Sequence, residues 1–519
     1  MSVPQIQDDS SVIEPTFQEL RQTFLSQKTK SLAYRKQQLR NLLRGLTEME
    51  QEFHKALEKD LKCSPFISYM TSFKITISEI EHTLKNLDSW VKARPLDTTV
   101  ISGPAKTYLK PEPYGVALVM SAWNYPLFTA IPPFAQALAA GNCVVLKPSE
   151  LAPYTSNCIQ KLFTNYMDKT AYRCIEGQVQ VSINITKLPW GLIIFTGSPE
   201  KGKLVAKAAS ENLVPCILEL GGKSPTIVDQ DANLENAALR VTQGRFLNAG
   251  QTCVACDYLF VHKSVKAEFI KKLKEKIVLF YGEDPQKSND YNRIINCQST
   301  ERLASLLNPE DHKGQIVIGG KYDISDKYVA PTLIDQPSLE SRVMKEEIFG
   351  PILPILEFTD IQTVVQFINE RPNPLALYYF GSKHAKLFEE QTSSGSYSIN
   401  DAIFQLTNPN LPFGGVGNSG SGKYHGLAGF DSCSHLKPVF NKLPINSFPF
   451  SARYPPYTET KQSTLKVLFA TAQFNQSTGI KWGLAIIALI ILSKFSYNGA
   501  LQNKARQLLS QLQTKFSNL

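Results

Sequence analysis

The chain has 519 residues, 43% of them hydrophobic and 10% aromatic, which is ordinary globular usage and is long enough for two or three domains. Its 55 lysine and arginine residues against 46 aspartate and glutamate residues give a net charge of +9, too mild over this length to indicate nucleic-acid binding. The nine cysteines are scattered and odd in number, which predicts free thiols in a reducing compartment.

Helical spacing dominates the start of the chain. Residues 1–14 contain no apolar run and no arginine-rich amphipathic pattern, so we expect neither a signal nor a transit peptide. Hydrophobic residues then recur at helical spacing from Pro15 to Leu61, which predicts two helices. A third helix is predicted from Ile77 to Val91, and Pro95 ends it.

Short apolar strands alternate with helical patterns up to Val228, which predicts a doubly wound parallel sheet. One strand leads into Trp123–Pro126, where the Asn124 amide can donate to an oxyanion or merely cap the local backbone. Another leads to Lys147–Glu150, whose lysine and carboxylate suit the neighbouring hydroxyls of a ribose or form a solvated ion pair.

A third strand opens into Thr196–Gly202 before a helix predicted at Lys203–Ser210. A glycine-bearing turn at a helix N-terminus can receive a pyrophosphate through backbone N–H groups, although a plain βα loop has the same spacing. Glu200 is unfavourable for an anion at this position.

Two loops in the middle of the chain carry a carboxylate and a thiol, and a helix predicted near Leu234–Ala249 leads to the second of them. Leu218–Pro225 places Glu219 beside a predicted Gly-Gly turn, and Gly250–Cys253 places the thiol in a loop of small residues. Such a pair suits covalent catalysis, with the thiolate attacking a carbonyl carbon and the carboxylate acting as general base. Taken singly, Cys253 reads as a buried apolar residue and Glu219 as an ordinary carboxylate.

Cys253 and Cys256 also form a CxxC pair. We expect no structural zinc, because no second ligand pair lies at a suitable spacing, and no thioredoxin-like role, because that motif follows the first strand of a smaller domain. A reversible disulfide between these two thiols under oxidation stays open as a hypothesis.

Six segments resemble, in order, the signature regions of the NAD(P)-dependent aldehyde dehydrogenases, and the similarity covers roughly residues 15–455. The segments are Trp123–Pro126, Lys147–Glu150, Phe195–Ser198, Leu218–Pro225, Gly250–Cys253 and Glu346–Pro351. Pro412–Gly420, Tyr424–Gly426 and Arg453–Pro456 resemble the class 3 branch, which contains membrane-anchored fatty aldehyde dehydrogenases.

This resemblance implies roles for particular residues. Cys253 would be the nucleophile, Glu219 the general base and Asn124 the oxyanion donor. The implied cofactor-binding residues are Lys147, Glu150, Gly197, Ser198, Gly202, Glu347 and Phe349. Glu150 would repel a 2′-phosphate, so we expect NAD rather than NADP, and no metal is implied. His425, in a loop with six glycines at Pro412–Gly426, would tune the substrate pocket or be structural.

The implied fold class is α/β. Residues 1–220 would hold N-terminal helices and a doubly wound parallel-sheet NAD-binding domain, and 221–395 an α/β catalytic domain. Residues 396–455 would supply a small β dimerisation element and the glycine-rich substrate-site loop, with a strand within Gly395–Leu411 crossing to a partner. Residues 456–480 would form a linker with an entrance helix at Thr464–Phe474, and 481–519 a C-terminal membrane-anchoring helix with a basic tail.

The tail contains eleven uncharged residues at Trp482–Leu492, followed by basic residues without an acidic one. A bilayer-spanning helix needs about 20 apolar residues, so three alternatives stay open: a short tail anchor, which we favour, an interfacial helix, and a helix buried against the protein. The anchor places the catalytic domain in the cytosol, at the mitochondrial outer membrane, a lipid droplet or the endoplasmic reticulum.

We interpret the chain as a membrane-attached homodimeric enzyme that oxidises medium- to long-chain fatty aldehydes to carboxylic acids with NAD. Its expected partners are the small aldehyde substrate and membrane lipid, with no nucleic acid. One alternative is aromatic aldehyde oxidation by the same mechanism, and another is a membrane-tethered scaffold on an inactive dehydrogenase fold. CoA-dependent thioester formation is a third, although Glu219 favours water as the acyl acceptor.

Overall fold

The structure, a computed structural model, describes residues 3–99, 102, 105–471, 499–500, 503–504 and 507. Within them the chain forms two compact units, one from Met1–Trp90 and Pro113–His435 and the other from Val91–Glu112 and Leu436–Leu519. The helices are α1 Ile13–Leu25, α2 Leu32–Glu48, α3 Glu50–Leu61, α4 Pro65–Ser68, α5 Lys74–Trp90, α6 Ile131–Ala140, α7 Pro153–Tyr166, α8 Val179–Ile185, α9 Pro199–Ser210, α10 Leu234–Phe246, α11 Lys266–Tyr281, α12 Cys297–Ser305, α13 Pro309–His312, α14 Arg342–Lys345, α15 Ile361–Asn369, α16 Ala385–Gln391, α17 Gly426–Ser432 and α18 Glu459–Thr471.

Among the described residues the strands form two large sheets and two small ones. They are β1 Arg94–Leu96, β2 Ala105–Pro113, β3 Val116–Met120, β4 Cys143–Lys147, β5 Tyr172–Cys174, β6 Leu192–Gly197, β7 Cys216–Leu220, β8 Pro225–Val228, β9 Tyr258–His262, β10 Gln315–Ile318, β11 Tyr322–Asp323, β12 Tyr328–Val329, β13 Thr332–Asp335, β14 Ile352–Phe358, β15 Ala376–Phe380, β16 Ser396–Ile399, β17 Gly420–Ser421 and β18 Ser434–Lys442.

The first large sheet has the strand order β17-β7-β6-β3-β4-β5, parallel except for the short β17. Every residue of β3 and β4 is buried, as expected for parallel strands covered by helices. Helices α1 and α6 pack on β3 and β4, and α9 packs on β6 and β7. The predicted parallel sheet is therefore confirmed.

The second large sheet has the order β10-β13-β14-β9-β8-β15-β16, and only β10 runs antiparallel to its neighbour. Its strands form the centre of the largest hydrophobic cluster, which includes Leu259, Leu353 and Leu377. Ser396–Ile399 pairs with β15 in this sheet, and its proposed crossing to a partner subunit stays a prediction.

The two sheets meet at opposite strand ends. Loops that follow β3 and β7 contact loops that precede β9 and β14: the Asn124 side chain donates to Gln251, and Gly221 lies against the Glu347 carboxylate. Ligand sites in α/β proteins commonly lie at the carboxyl ends of parallel strands. The first sheet here supplies the carboxyl ends of its strands. The loops that enter the strands of the second sheet pack against those ends.

Two predicted helix patterns need correction. The N-terminal region contains three helices rather than two, because the backbone of Met49, at φ −100° and ψ 11°, separates α2 from α3. Helix α9 begins at Pro199 rather than Lys203, since Ser198 caps it by accepting a hydrogen bond from the backbone N–H of Lys201 at 3.4 Å.

The second unit contains a three-stranded sheet, β1-β2-β18, and helix α18. The helix predicted at Thr464–Phe474 is observed over Glu459–Thr471. No helix among the described residues is long and apolar enough to cross a membrane. Trp482–Leu492, the centre of the predicted anchor, lies outside the described residues.

Candidate active site

A cavity of about 1000 Å³ lies where the loops of the two sheets meet. Seven of the predicted site residues line it: Asn124, Gly197, Ser198, Glu219, Cys253, Glu347 and Phe349. The other three, Lys147, Glu150 and Gly202, lie outside this lining. The sequence thus located residues that the fold brings together from five separate loops.

The thiol loop has an unusual backbone. Asn248, Ala249 and Gly250 all have positive φ angles, of 55°, 51° and 74°, so α10 ends at Phe246 and not at Ala249 as its apolar pattern predicted. A Cβ on Gly250 would lie 2.2 Å from the carbonyl oxygen of Gly350, which makes glycine obligatory there. Two consecutive non-glycine residues in the left-handed region store strain beside the thiol.

Gln251 holds this loop in place. Its side chain is fully buried and donates to the carbonyls of Asn248 and Arg293, both at 3.0 Å, while accepting from the N–H of Ile295 at 2.9 Å. On the other side of the thiol, the Tyr378 hydroxyl donates to the Val254 carbonyl at 2.7 Å. The backbone on both sides of Cys253 is therefore anchored to distant elements.

Asn124 is 4% exposed, and its amide nitrogen donates to the Gln251 carbonyl at 3.1 Å. One of its two N–H groups is engaged in this way, and the other is left for an oxygen atom bound in the cavity that Asn124 and Cys253 both line. The geometry suits the predicted oxyanion donor, since the amide is held by the same loop that carries the thiol.

Cys253 is protonated at neutral pH in this environment. Burial raises the pKa of its thiol to about 12, and the nearby carboxyl groups of Glu347 and Glu219 contribute in the same direction. The backbone N–H groups of Cys253 and Val254 oppose this shift in the pKa. Because only the thiolate is strongly nucleophilic, catalysis needs a base close to the sulfur.

Glu219 meets the structural requirements for that base. Its side chain is 3% exposed, and neither carboxylate oxygen has a hydrogen-bond partner among the described residues. Burial raises the pKa of this carboxyl well above its ordinary value, so its proton affinity lies closer to that of a thiol or a water molecule. Gly420 in the glycine-rich loop pairs with Glu219 across β17 and β7.

Glu347 lies on the other side of the cavity. Burial raises the pKa of its carboxyl to about 8, with the charge of Asp257 contributing, and Oε1 has no partner among the described residues. A Cβ on Gly221 would lie 2.2 Å from Oε2 of this carboxylate. Residues 221–224 form no turn, so the predicted Gly-Gly turn is absent, and Gly221 instead permits the close approach of this carboxylate.

A buried charge network supports the loops. The Asp257 carboxylate accepts from Lys223 Nζ at 2.5 Å, from Arg245 Nη1 at 3.1 Å and from the backbone N–H of Ile348 at 3.2 Å. Arg245 is fully buried and also donates to the Gly350 carbonyl. This one carboxylate therefore connects the loops that enter β8, β9 and β14. The sequence did not reveal this charge network.

Phe349 lies two residues after Glu347 and has φ 48°, a strained conformation for a bulky residue. Its ring packs edge-to-face on Trp123 at a centroid distance of 5.3 Å.

The remaining predicted cofactor residues lie outside the cavity lining. At the end of β4, Lys147 Nζ donates to Glu150 Oε2 at 2.7 Å. Gly202 is buried in α9, where a Cβ would lie 2.5 Å from the Leu220 side chain. Its observed role is thus close packing of the helix on β7.

Two largely parallel sheets, one of them doubly wound, enclose a partly buried thiol and a buried carboxylate without a partner among the described residues. This is the architecture of a nucleotide-dependent dehydrogenase that acts through cysteine. The chain belongs to the aldehyde dehydrogenase family, whose family model matches residues 6–439. The predicted family membership is confirmed, and members of this family oxidise aldehydes with NAD(P).

The alignments with curated relatives cover almost the full length of those relatives. The 4,4'-diaponeurosporen-aldehyde dehydrogenase of Staphylococcus aureus is 41% identical over 450 residues, 86% of this chain and 97% of the relative. Aldehyde dehydrogenase family 3 member A2 of Macaca fascicularis is 38% identical over 480 residues, 92% and 97% of the two chains. The dimeric NADP-preferring aldehyde dehydrogenase of Rattus norvegicus is 41% identical over 448 residues, which are 86% of this chain and 98% of the relative. The predicted similarity to the class 3 branch is confirmed by the family 3 relative.

A solved structure shares the fold. The substrate-bound state of Staphylococcus aureus AldH aligns with a TM-score of 0.85 and 41% sequence identity, covering 88% of this chain and 99% of that chain. The α/β architecture predicted from the sequence is thereby confirmed at the level of the two sheet domains.

Proposed function

We propose that this protein oxidises medium- to long-chain fatty aldehydes to carboxylic acids with NAD, through a thioester on Cys253. The observation that carries the proposal is a partly buried thiol in one cavity with a buried carboxylate that has no partner among the described residues, next to an apolar wall. That wall contains Phe128, Leu406 and Phe413. An apolar wall favours an alkyl chain, because each buried CH₂ contributes about 0.8 kcal/mol.

The residues of the chain account for each step of proton movement. Glu219, in its ionised form, takes the proton from the Cys253 thiol as the sulfur adds to the aldehyde carbon. The free N–H of Asn124 and the backbone N–H of Cys253 stabilise the resulting oxyanion. Glu347 and Phe349 would hold NAD, whose nicotinamide would supply the hydride acceptor for oxidation of the adduct to a thioester. Glu219 gives up the thiol proton to solvent and is ionised again before the second half of the reaction. It then takes a proton from water as the water oxygen attacks the acyl carbon, and it returns that proton to the departing Cys253 sulfur as the acid is released.

The residues around the cavity fit a dinucleotide. Buried polar atoms without partners among the described residues line it at Glu347 Oε1 and Thr196 Oγ1, and both are available to hydroxyl or amide groups. Glu347 would hold the nicotinamide ribose and Phe349 would pack on the ring, with the backbone at Gly197 and Ser198 near the pyrophosphate. Lys147 and Glu150 would hold the adenosine ribose.

Glu150 is proposed to select NAD over NADP, whereas the name of the rat relative describes NADP preference. Replacing Glu150 by Gln removes a negative charge beside Lys147 and leaves that ammonium group free to attract a 2′-phosphate. We expect the ratio of kcat/KM for NADP to that for NAD to rise about tenfold. The matched control is Glu211→Gln, which changes an exposed carboxylate directly after α9. If the NADP-to-NAD ratio of kcat/KM is unchanged in Glu150→Gln, the assignment is contradicted.

The substrate class is tested by NADH formation with hexadecanal and with benzaldehyde in detergent. We expect kcat/KM to be at least about tenfold higher for hexadecanal, since many more apolar groups can contact the wall of the cavity. Equal or faster oxidation of benzaldehyde would favour the aromatic alternative. NADH absorbance is followed first without CoA and then with CoA. Formation of acyl-CoA would mean that CoA, and not water, is the acyl acceptor.

We also propose a homodimer that attaches to a membrane through residues 481–519, with its catalytic unit facing the cytosol. The name of the rat relative describes a dimeric enzyme, which supports the first part. The apolar run at Trp482–Leu492 and the basic residues after it support the second. Long-chain aldehydes partition into lipid, so attachment at the mitochondrial outer membrane, a lipid droplet or the endoplasmic reticulum would place the enzyme at its substrate.

A further inference from the structure

A second, smaller chamber lies next to the active-site cavity and has no role in the mechanism above. It measures about 210 Å³, and its lining includes Gln405, Leu411 and His425. Leu406 and Phe413 line both this chamber and the active-site cavity. The two spaces therefore share these two residues in their walls, on the apolar side of the larger cavity.

His425 has the features of a binding residue. It is 2% exposed, its φ of 78° is strained, and neither ring nitrogen has a hydrogen-bond partner among the described residues. Its Nδ1 lies 3.4 Å from Oε1 of Glu79, an approach that makes no hydrogen bond. Buried polar groups without partners are costly and uncommon, so an unpaired imidazole in a chamber wall indicates a ligand.

Gln405 adds a second unsatisfied group. Its amide nitrogen donates to the Tyr378 hydroxyl at 3.2 Å and to Ser396 Oγ at 3.3 Å, whereas its carbonyl oxygen is buried without a partner among the described residues. The chamber thus offers an acceptor from Gln405 and both an acceptor and a donor from a neutral imidazole.

The chamber carries little charge at neutral pH. Burial lowers the pKa of His425 to about 3, which leaves its imidazole neutral. Burial also raises the pKa of Glu79 to about 7, so a large fraction of that carboxyl group is protonated. A carboxylate ligand would have to enter without a cation to pair with, whereas a neutral group that donates and accepts hydrogen bonds meets matching partners.

The wall between the chambers is aromatic. The Phe413 ring stacks on the His425 imidazole at 5.6 Å and 28°, and Tyr424 lies 4.9 Å from the same imidazole. Phe128, which lines the active-site cavity, packs edge-to-face on His425 at 5.7 Å. An alkyl chain that follows this wall beyond Phe413 reaches the His425 imidazole and the Gln405 carbonyl oxygen, which have no partners among the described residues. Ser396 and Tyr397 also line the chamber, but their hydroxyl groups already take part in hydrogen bonds.

We propose that this chamber binds a hydroxyl group on the chain of the aldehyde substrate, with His425 and Gln405 as its hydrogen-bonding partners. The proposal deepens the function argued above and rests on it. A hydroxyl both donates and accepts, so it satisfies His425 and Gln405 together, whereas an unsubstituted chain leaves them unpaired. Sites built to hydrogen-bond a substrate group discriminate against analogues that lack it.

The test compares decanal with a series of monohydroxydecanals that carry the hydroxyl at successive carbons. For at least one isomer, we expect kcat/KM about tenfold above that of decanal. His425→Phe and Gln405→Met should each remove most of this advantage and leave kcat/KM for decanal within about threefold. His425→Gln, which retains a neutral donor and acceptor, should retain most of it. The unfolding temperature of each variant is measured alongside.

The outcomes separate the two proposals. If no hydroxydecanal surpasses decanal, or if the advantage persists in His425→Phe, the hydroxyl site is wrong while aldehyde oxidation stands. If decanal and all isomers fail to yield NADH with the unmodified protein, the proposed function itself fails. Should His425→Phe not fold, the comparison between Gln405→Met and the unmodified protein decides, because Gln405 is only partly buried.

Discussion

Replacing Cys253 by alanine is expected to lower kcat for NADH formation from hexadecanal by about 10⁴-fold or more, because removal of a covalent nucleophile leaves no route to the thioester. Hydride transfer requires the tetrahedral adduct on sulfur, and no other cysteine lines the cavity. The initial rate of NADH absorbance, measured at saturating NAD and aldehyde, checks this expectation.

Cys256→Ala provides the matched control. Cys256 is three positions away and fully buried, but it does not line the cavity, so its replacement should change kcat only a few-fold. NAD binding to Cys253→Ala, measured by calorimetry, should stay within about threefold of the unmodified protein, since no implied cofactor contact involves the sulfur. Substantial turnover by Cys253→Ala would end the thiol mechanism. If the unmodified protein bound NAD without turning over, the scaffold alternative would gain support.

Replacing Glu219 by glutamine is expected to separate the two halves of the reaction. The amide keeps the shape of the side chain but cannot accept a proton, so water attack on the thioester slows by about 10² to 10⁴. Thiol addition can still proceed from the small thiolate fraction at alkaline pH. Rapid mixing with NAD and aldehyde should therefore show one equivalent of NADH per subunit, followed by a slow steady state. Equal burst and steady-state rates would contradict this role.

The pH dependence has a definite sign. Burial raises the pKa of Glu219 well above its ordinary value, so the ionised, base-competent form increases as the pH rises. The thiolate fraction of Cys253 grows in the same direction, because the pKa of its thiol is raised to about 12. Steady-state kcat should rise with pH for the unmodified protein, and the part of this rise due to Glu219 should disappear in Glu219→Gln. A rate that falls between pH 6 and 8 would contradict the assignment.

The sequence located the candidate site residues because their segments resemble, in order, the signature regions of the aldehyde dehydrogenases. Asn124, Glu219 and Cys253 were found in this way, and the structure brings all three to one cavity. The buried network around Asp257 was not found, because its members are far apart in sequence and each resembles an ordinary surface charge. The one available signal was Arg245, a charged residue flanked by apolar ones in a predicted core helix.

Glycines illustrate the same limit. The sequence showed that Gly221 and Gly222 were adjacent, which predicted a turn, yet their function is to let the Glu347 carboxylate approach the backbone. Close approach depends on a residue that lies more than a hundred positions away, and local pattern contains no information about it. The same reason explains why α10 ended early, since the positive φ angles of Asn248 and Ala249 are imposed by contacts of the thiol loop.

The proposed thioester on Cys253 can be detected from the intact mass of Glu219→Gln after incubation with NAD and hexadecanal. We expect an added hexadecanoyl group on a single site, located at Cys253 by peptide mapping and released by hydroxylamine. The unmodified protein should not accumulate this adduct, because in the proposed mechanism Glu219 activates the water that hydrolyses it. Absence of any adduct in Glu219→Gln during NADH formation, or an acyl group on a residue other than Cys253, would contradict the central claim.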